Sequence, residues 1–149
     1  MRKFDLQTPI KVRYRAHPLF PKDLWPIVDV KLIHKEFSIP QSIFALIDSG
    51  ANKSLVHLQV AELLGFDVKK RGKPERGVSV SGTYESWGIK DPIRVNIYGF
   101  EFSLNFIVVN NPQLIWPCIL GEDSIFQLAR LDFQKFKGFF EIRFRADIH

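Results

Sequence analysis

The stretch Ile43-Phe44-Ala45-Leu46-Ile47-Asp48-Ser49-Gly50-Ala51-Asn52-Lys53-Ser54 decides how this chain is read. Its first part is a short, almost wholly apolar run, the pattern of a strand buried on both faces. Asp48 follows that run with no turn residue between, an unusual place for a carboxylate. A carboxyl at the end of a buried strand is expected to be partly desolvated, with its pKa pushed upward. Gly50 permits a sharp turn with its amide exposed, and the Ser49 hydroxyl is placed to brace that turn. Taken alone, Asp-Ser-Gly also spells an ordinary turn, so the reading rests on what surrounds it.

Working outward, the chain is strand-rich. β-branched and aromatic residues alternate with polar ones, and Gly, Pro, Asn and Asp punctuate them at short intervals. This pattern predicts an all-β fold with strands over residues 10–15, 27–34, 42–47, 77–80, 84–89, 93–97, 102–109, 115–120 and 139–144. Two segments depart from it. Residues 58–64 carry Val60, Leu63 and Leu64 on one helical face, with Gly65 as a stop. Residues 123–129 read as a second short helix, Asp123 capping it and Phe126 and Ala129 pointing inward. Such short helices are too few for an α/β crossover fold. The segment 16–26, with Pro18, Pro21 and Pro26, reads as a loop.

With these surroundings the residues resemble the retropepsin-like aspartic peptidases. That family is marked by apolar residues, then Asp-Thr/Ser-Gly-Ala, then a Thr or Ser leading into another strand; here the match is Leu46-Ile47-Asp48-Ser49-Gly50-Ala51 followed by Ser54. A second mark, apolar residues and a Gly before a short C-terminal helix, matches Ile119-Leu120-Gly121. Leu131-Asp132-Phe133 and the strand 139–144 would close the fold. The resemblance spans Ile27 to the C-terminus. It implies a closed, barrel-like sheet, a flap hairpin and one or two short helices.

Between the two motifs the family carries a flap that closes over bound peptide, and Gly77-Val78-Ser79-Val80-Ser81-Gly82-Thr83-Tyr84 matches it. Glycines near a hairpin tip permit positive φ, and short side chains let the backbone approach a ligand. The resemblance implies Asp48 as the catalytic residue, with Ser49, Gly50 and Ala51 bracing its loop. It implies Ser79, Val80, Ser81 and Gly82 as flap residues, and Val80 and Ile119 as apolar subsite walls. The chemistry needs two carboxylates sharing a proton across a water, one as base toward the water and one as donor to the carbonyl. Two charged carboxylates about 3 Å apart, at an effective dielectric near 20, repel by roughly 5 kcal/mol, which forces the sharing. Only one Asp-Ser/Thr-Gly occurs in the chain, so the second Asp48 has to come from another copy in a two-fold homodimer.

The chain also departs from the viral pattern. Glu122-Asp123 stands where viral relatives carry an Arg that ties the dimer together, and Asn52 replaces that Arg's acidic partner. The dimer contacts must therefore differ. The N-terminal part, 1–26, is longer than in viral enzymes, and its strand and Pro18–Pro26 loop are not explained by the resemblance.

Composition sets the remaining bounds. At 149 residues the chain is read as one domain, 1–149. Its apolar runs, such as Phe106-Ile107-Val108-Val109, fall far short of the ~20 residues that cross a bilayer. The N-terminus lacks the apolar stretch of a signal peptide, so a cytoplasmic protein is expected. The single Cys118 excludes an intrachain disulfide and reads as a buried structural thiol. His17, His34, His57 and His149 show no metal-ligand spacing and read as surface or loop residues, and neither metal nor cofactor is implied. The net charge of +5 raises nucleic-acid binding. The basic patch 69–76 lacks aromatic platforms, however, and reads as a solvated loop. The expected function is an aspartic endopeptidase acting on peptide or protein. The alternative is a non-catalytic dimerisation or peptide-binding module on the same fold.

Overall fold

The computed structural model describes residues 5–79 and 82–149, and of Ser79 only the backbone. In chain order the elements are β1 Ile10–Arg13, β2 Arg15–His17, β3 Phe20–Trp25, β4 Ile27–His34, β5 Phe37–Ser38, β6 Ile43–Ile47, β7 Leu55–His57 and helix α1 Leu58–Leu63. They continue as β8 Glu75–Ser79, β9 Gly82–Gly88, β10 Ile93–Ile97, β11 Phe100–Leu104, β12 Ile107–Asn110, β13 Cys118–Leu120, helix α2 Ile125–Leu128, β14 Ala129–Gln134 and β15 Phe139–Phe144. Short 3-10 turns lie at Val68–Arg71 and Lys135–Lys137.

The fold is all-β, as the alternation predicts. Its main sheet runs β11-β10-β4-β6-β13-β7-β12-β9-β8, with β5 paired to β4, and a smaller sheet runs β1-β15-β14. The order is open at both ends, where the resemblance implies closure into a barrel. β6 and β13, and β4 at its Ile27 end, carry apolar side chains on both faces because both faces are covered there. On one side Val28, Ala45, Cys118 and Leu120 join the main core; on the other Ile27, Leu46 and Ile119 pack with Trp116. Cys118 is fully buried, and burial pushes its thiol well above the ordinary cysteine value.

Several expectations are corrected. The segment 16–26 is a hairpin of β2 and β3, its register broken between Ala16 and His17. Pro21 falls within that interruption, where a missing N–H costs no ladder bond. The strand expected over 102–109 is two, because the chain changes partners at Asn105-Phe106: β11 pairs with β10, whereas β12 pairs with β7 and β9. The strand expected over 115–120 begins only at Cys118. In α1, Leu63 is 64% exposed, and Leu58, Val60, Ala61 and Leu64 form the buried face. The second helix is shorter than 123–129: Ser124 takes the N-cap position without a side-chain bond, Ile125 is its buried residue, and Ala129 is already strand.

Two histidines read as surface groups are buried. His17 lies between Phe44 and Trp116, edge-on to both, with Nε2 2.7 Å from the Ile115 carbonyl and Nδ1 accepting the Leu19 N–H at 3.0 Å. His34 stacks on Phe66, its Nδ1 3.0 Å from the Leu64 carbonyl. Such partners are what make a buried imidazole tolerable. The basic stretch 69–76 is largely exposed, and Arg71 pairs with Asp91 at 2.9 Å.

Candidate active site

β6 delivers Asp48 at its C-terminal end. β13 lies beside it in parallel, Ile119 opposite Leu46 and Leu120 opposite Ile47, and pairs on its other edge with β7. β13 is thus threaded between the strand entering the Asp48 loop and the strand leaving it. The ladder continues one step past the strands: the Asp48 N–H donates to the Leu120 carbonyl and the Ile47 N–H to Pro26, each at 3.0 Å. Asp48 is half-buried, and its Oδ1 accepts the Gly50 N–H at 2.9 Å. The Ala51 N–H closes the loop on the Asp48 carbonyl at 3.2 Å. A Cβ at Gly50 would sit 3.2 Å from that same Oδ1, so a small residue keeps the amide close to the acid. Ser49 is exposed beside it.

A clasp of short polar side chains holds the far end of the loop. Ser54, fully buried, donates its N–H and its hydroxyl to Asp123 Oδ1 at 2.8 and 2.7 Å. Its Oγ accepts the Gly121 N–H at 2.9 Å. Ser124 Oγ lies 2.9 Å from Ser54 Oγ and 3.1 Å from the Gly121 carbonyl, and the Glu122 N–H donates to the Ala51 carbonyl at 2.8 Å. Asp123, expected as a helix cap, therefore works across the fold. Sequence reasoning missed the clasp, although Ser54 already stood in the motif as the residue leading into the next strand. Gly121 is required by close approach: a Cβ there would strike the Ala51 carbonyl oxygen and lie 3.1 Å from that of Lys53.

Asp48 opens onto a hollow of about 330 Å³ walled by Trp25, Pro26, Leu46, Ile47, Ser49 and Phe133. A second hollow, about 360 Å³, lies against the β8–β9 hairpin, with an apolar floor of Leu55, Ile107, Val109 and Leu114 and with Lys53, Glu75 and Tyr84 around it. A larger one of about 560 Å³ on the Trp116 side contains no carboxylate. It is therefore not the place for acid chemistry.

The remaining site residues expected from sequence fall as follows. The stretch matched to a flap is a hairpin, with Gly77 opposite Tyr84 and Ser79 opposite Gly82. Gly82 has φ +117°, the backbone that favours glycine. Val80 and Ser81 lie outside the described residues. Ile119 is buried against Ile27, Leu46 and Trp116 and lines none of these hollows.

Three solved structures are similar to this chain. A retropepsin-like aspartic protease from Rickettsia conorii superposes with a TM-score of 0.61 at 16% identity, covering 97% of each chain. The retroviral protease-like domain of Ddi1 from Leishmania major gives 0.48 at 24% identity, over 70% of this chain and 79% of that one. The EIAV protease bound to the inhibitor HBY-793 gives 0.48 at 17%, over 72% and 91%. By sequence, no family model and no curated protein matches the chain. The first likeness shows the fold, which is retropepsin-like. It also extends the correspondence well before Ile27, into the N-terminal part that the motifs left unexplained.

Proposed function

We propose that this chain, retropepsin-like in fold, is an aspartic endopeptidase of one domain that works as a homodimer, with Asp48 of each copy facing the other across the two-fold axis. The observation that carries the reading is the Asp48 loop itself. A carboxylate ends a buried strand, takes the Gly50 N–H and opens onto a hollow, while the chain supplies only one such acid. In the dimer one carboxylate is ionised and draws a proton from a water held between the pair, while the protonated one donates to the scissile carbonyl. The resulting tetrahedral centre collapses as the amine leaves with a proton.

Ser49, Gly50 and Ala51 hold the acid in position. The β8–β9 hairpin covers an extended peptide, and the apolar hollow beside it takes substrate side chains. Comparing the wild type with Asp48→Asn on a mixed peptide library over about pH 4 to 7 tests the reading, since that range spans the usual carboxylate pair. Cleavage by the wild type alone is expected. Equal product from both sinks it, and peptide binding without cleavage by either protein would favour a binding module.

A further inference from the structure

The hollow against the β8–β9 hairpin is built on one face of the main sheet. Pairing sets Glu75 opposite Ser86, Ser86 opposite Val109 and Leu55 beside Ile107, and residues paired across a ladder share a face. Gly77 and Tyr84 are the next pair on that face. A Cβ at Gly77 would strike the Tyr84 ring, so the ring lies across the glycine. Around the apolar floor stand five polar side chains, Lys53, Glu75, Tyr84, Ser86 and Asn111, and all but Glu75 can donate a hydrogen bond. Asn111 is 8% exposed, and its Oδ1 accepts the Gln113 N–H at 3.0 Å, which leaves its Nδ2 donors for a ligand. Lys53 forms no ion pair among the described residues. Its backbone is held in place, because the next residue, Ser54, is gripped by Asp123. The hollow at Asp48, by contrast, contains no cation.

We propose that this hollow makes the chain selective for acidic peptides. It takes a glutamate side chain of the substrate, with the methylenes on Leu55, Ile107 and Val109 and the carboxylate on Lys53 and Asn111. The proposal rests on the peptidase reading and names its substrate class. The floor alone would accept any aliphatic side chain, and glutamine would fill the same volume as glutamate. Charge is what separates the two. A carboxylate only accepts, so every donor on the rim can serve it. Glu75 works in the opposite sense: it stands on the same hollow, on the edge strand β8, and repels a bound acid. The sign of the preference is therefore a balance. Lys53 prevails because the neutral rim sides with it. Tyr84 and Ser86 carry hydroxyls that can turn to donate, and Asn111, its oxygen already engaged, has only donors left to offer.

Cleavage of a mixed peptide library by the full-length protein at about pH 6, where a free glutamate is ionised, tests this. The ratio of glutamate to glutamine is read at each position around the cleaved bond. Wild type is expected to enrich glutamate at one position by roughly fivefold. Lys53→Met should abolish that enrichment and leave other positions unchanged. Lys53→Glu should replace it with a preference for lysine, and Glu75→Gln should raise it by roughly twofold. Lys53 and Glu75 are both exposed, and thermal melting shows that each variant folds. Equal glutamate and glutamine with wild type, an enrichment that survives Lys53→Glu, or one that falls in Glu75→Gln overturns the proposal. Capture of the same library by Asp48→Asn, with sequencing of the bound peptides, separates the proposal from the enzyme reading. Glutamate-enriched capture that Lys53→Met removes, without cleavage by the wild type, refutes the peptidase and leaves the selectivity of the hollow standing. Cleavage without any such enrichment does the reverse, and neither cleavage nor capture of any peptide overturns both.

Discussion

Replacing Asp123 by alanine removes the one acceptor that holds Ser54 from two sides. In the structure Oδ1 takes both the backbone N–H and the hydroxyl of Ser54, a residue with no exposed surface. Hydrogen bonds to a charged acceptor contribute ~1.5–3 kcal/mol each, and a buried donor left without that acceptor carries a desolvation cost of similar size. Part of the loss is recovered, because the Ser54 hydroxyl can turn to Ser124 Oγ, which already lies 2.9 Å away. Asp123 is also partly open to solvent, which weakens each bond. The expected net loss is about 3 kcal/mol for Asp123→Ala. For Asp123→Asn, which keeps an oxygen in place but not its charge, about 1 kcal/mol is expected. Urea denaturation of both variants, with Ser54→Ala and the double change, gives the values and their coupling. A coupling of about 1 kcal/mol or more is expected, since the two residues act as one unit. An Asp123→Ala protein within ~0.5 kcal/mol of wild type, or simple additivity with Ser54→Ala, would refute the clasp as the support of the Asp48 loop.

The neighbouring glycine should be less forgiving. Gly121→Ala forces a methyl into the Ala51 backbone rather than into a flexible side chain, so a loss of about 3 kcal/mol is expected in the same denaturation assay. Any peptide cleavage should fall further than the folded fraction does, because the displaced segment carries Asp48. Cys118 gives a pH prediction. Its burial raises the thiol, so the folded state binds the proton more tightly than the unfolded one. The resulting stability is fully present below the unfolded cysteine value of about 8.5 and declines as pH rises above it. Cys118→Ala should flatten that alkaline decline. A thiol reagent should label native Cys118 only at the rate of unfolding, and rapid labelling of folded protein would contradict its burial.

Much of the architecture was legible because the governing signals are local. β4, β10 and β15 occupy the residues the alternation predicts. In each, buried positions recur with the period of a strand or fill both faces. The failures have a common cause in partners remote in sequence. The residues of β3 point mostly to solvent and include Pro21, so neither hydrophobic period nor propensity marks them as strand. They pair because β2 returns alongside, and His17 pins the turn to the Ile115 carbonyl. An imidazole with two backbone partners and three aromatic neighbours looks, in sequence, like any histidine before a proline. The break at Asn105-Phe106 likewise records a change of neighbour, which an unbroken apolar pattern does not register.

The candidate site divides along the same line. Asp48 was readable because its meaning is contained in adjacent residues: an apolar strand before it and a glycine whose amide can reach back to it. The clasp was not, because Ser54 and Asp123 are 69 residues apart. Asp123 also sits just ahead of a helix, where an acidic residue has the ready local explanation of a cap. What unites them is β13, which must slip between β6 and β7 before Gly121 can reach the Ala51 carbonyl and Ser54 can reach Asp123. Neither motif is therefore sufficient alone. The first supplies an acid on a turn, the second supplies the backbone and carboxylate that hold the turn, and the threading of one strand makes the two a single unit.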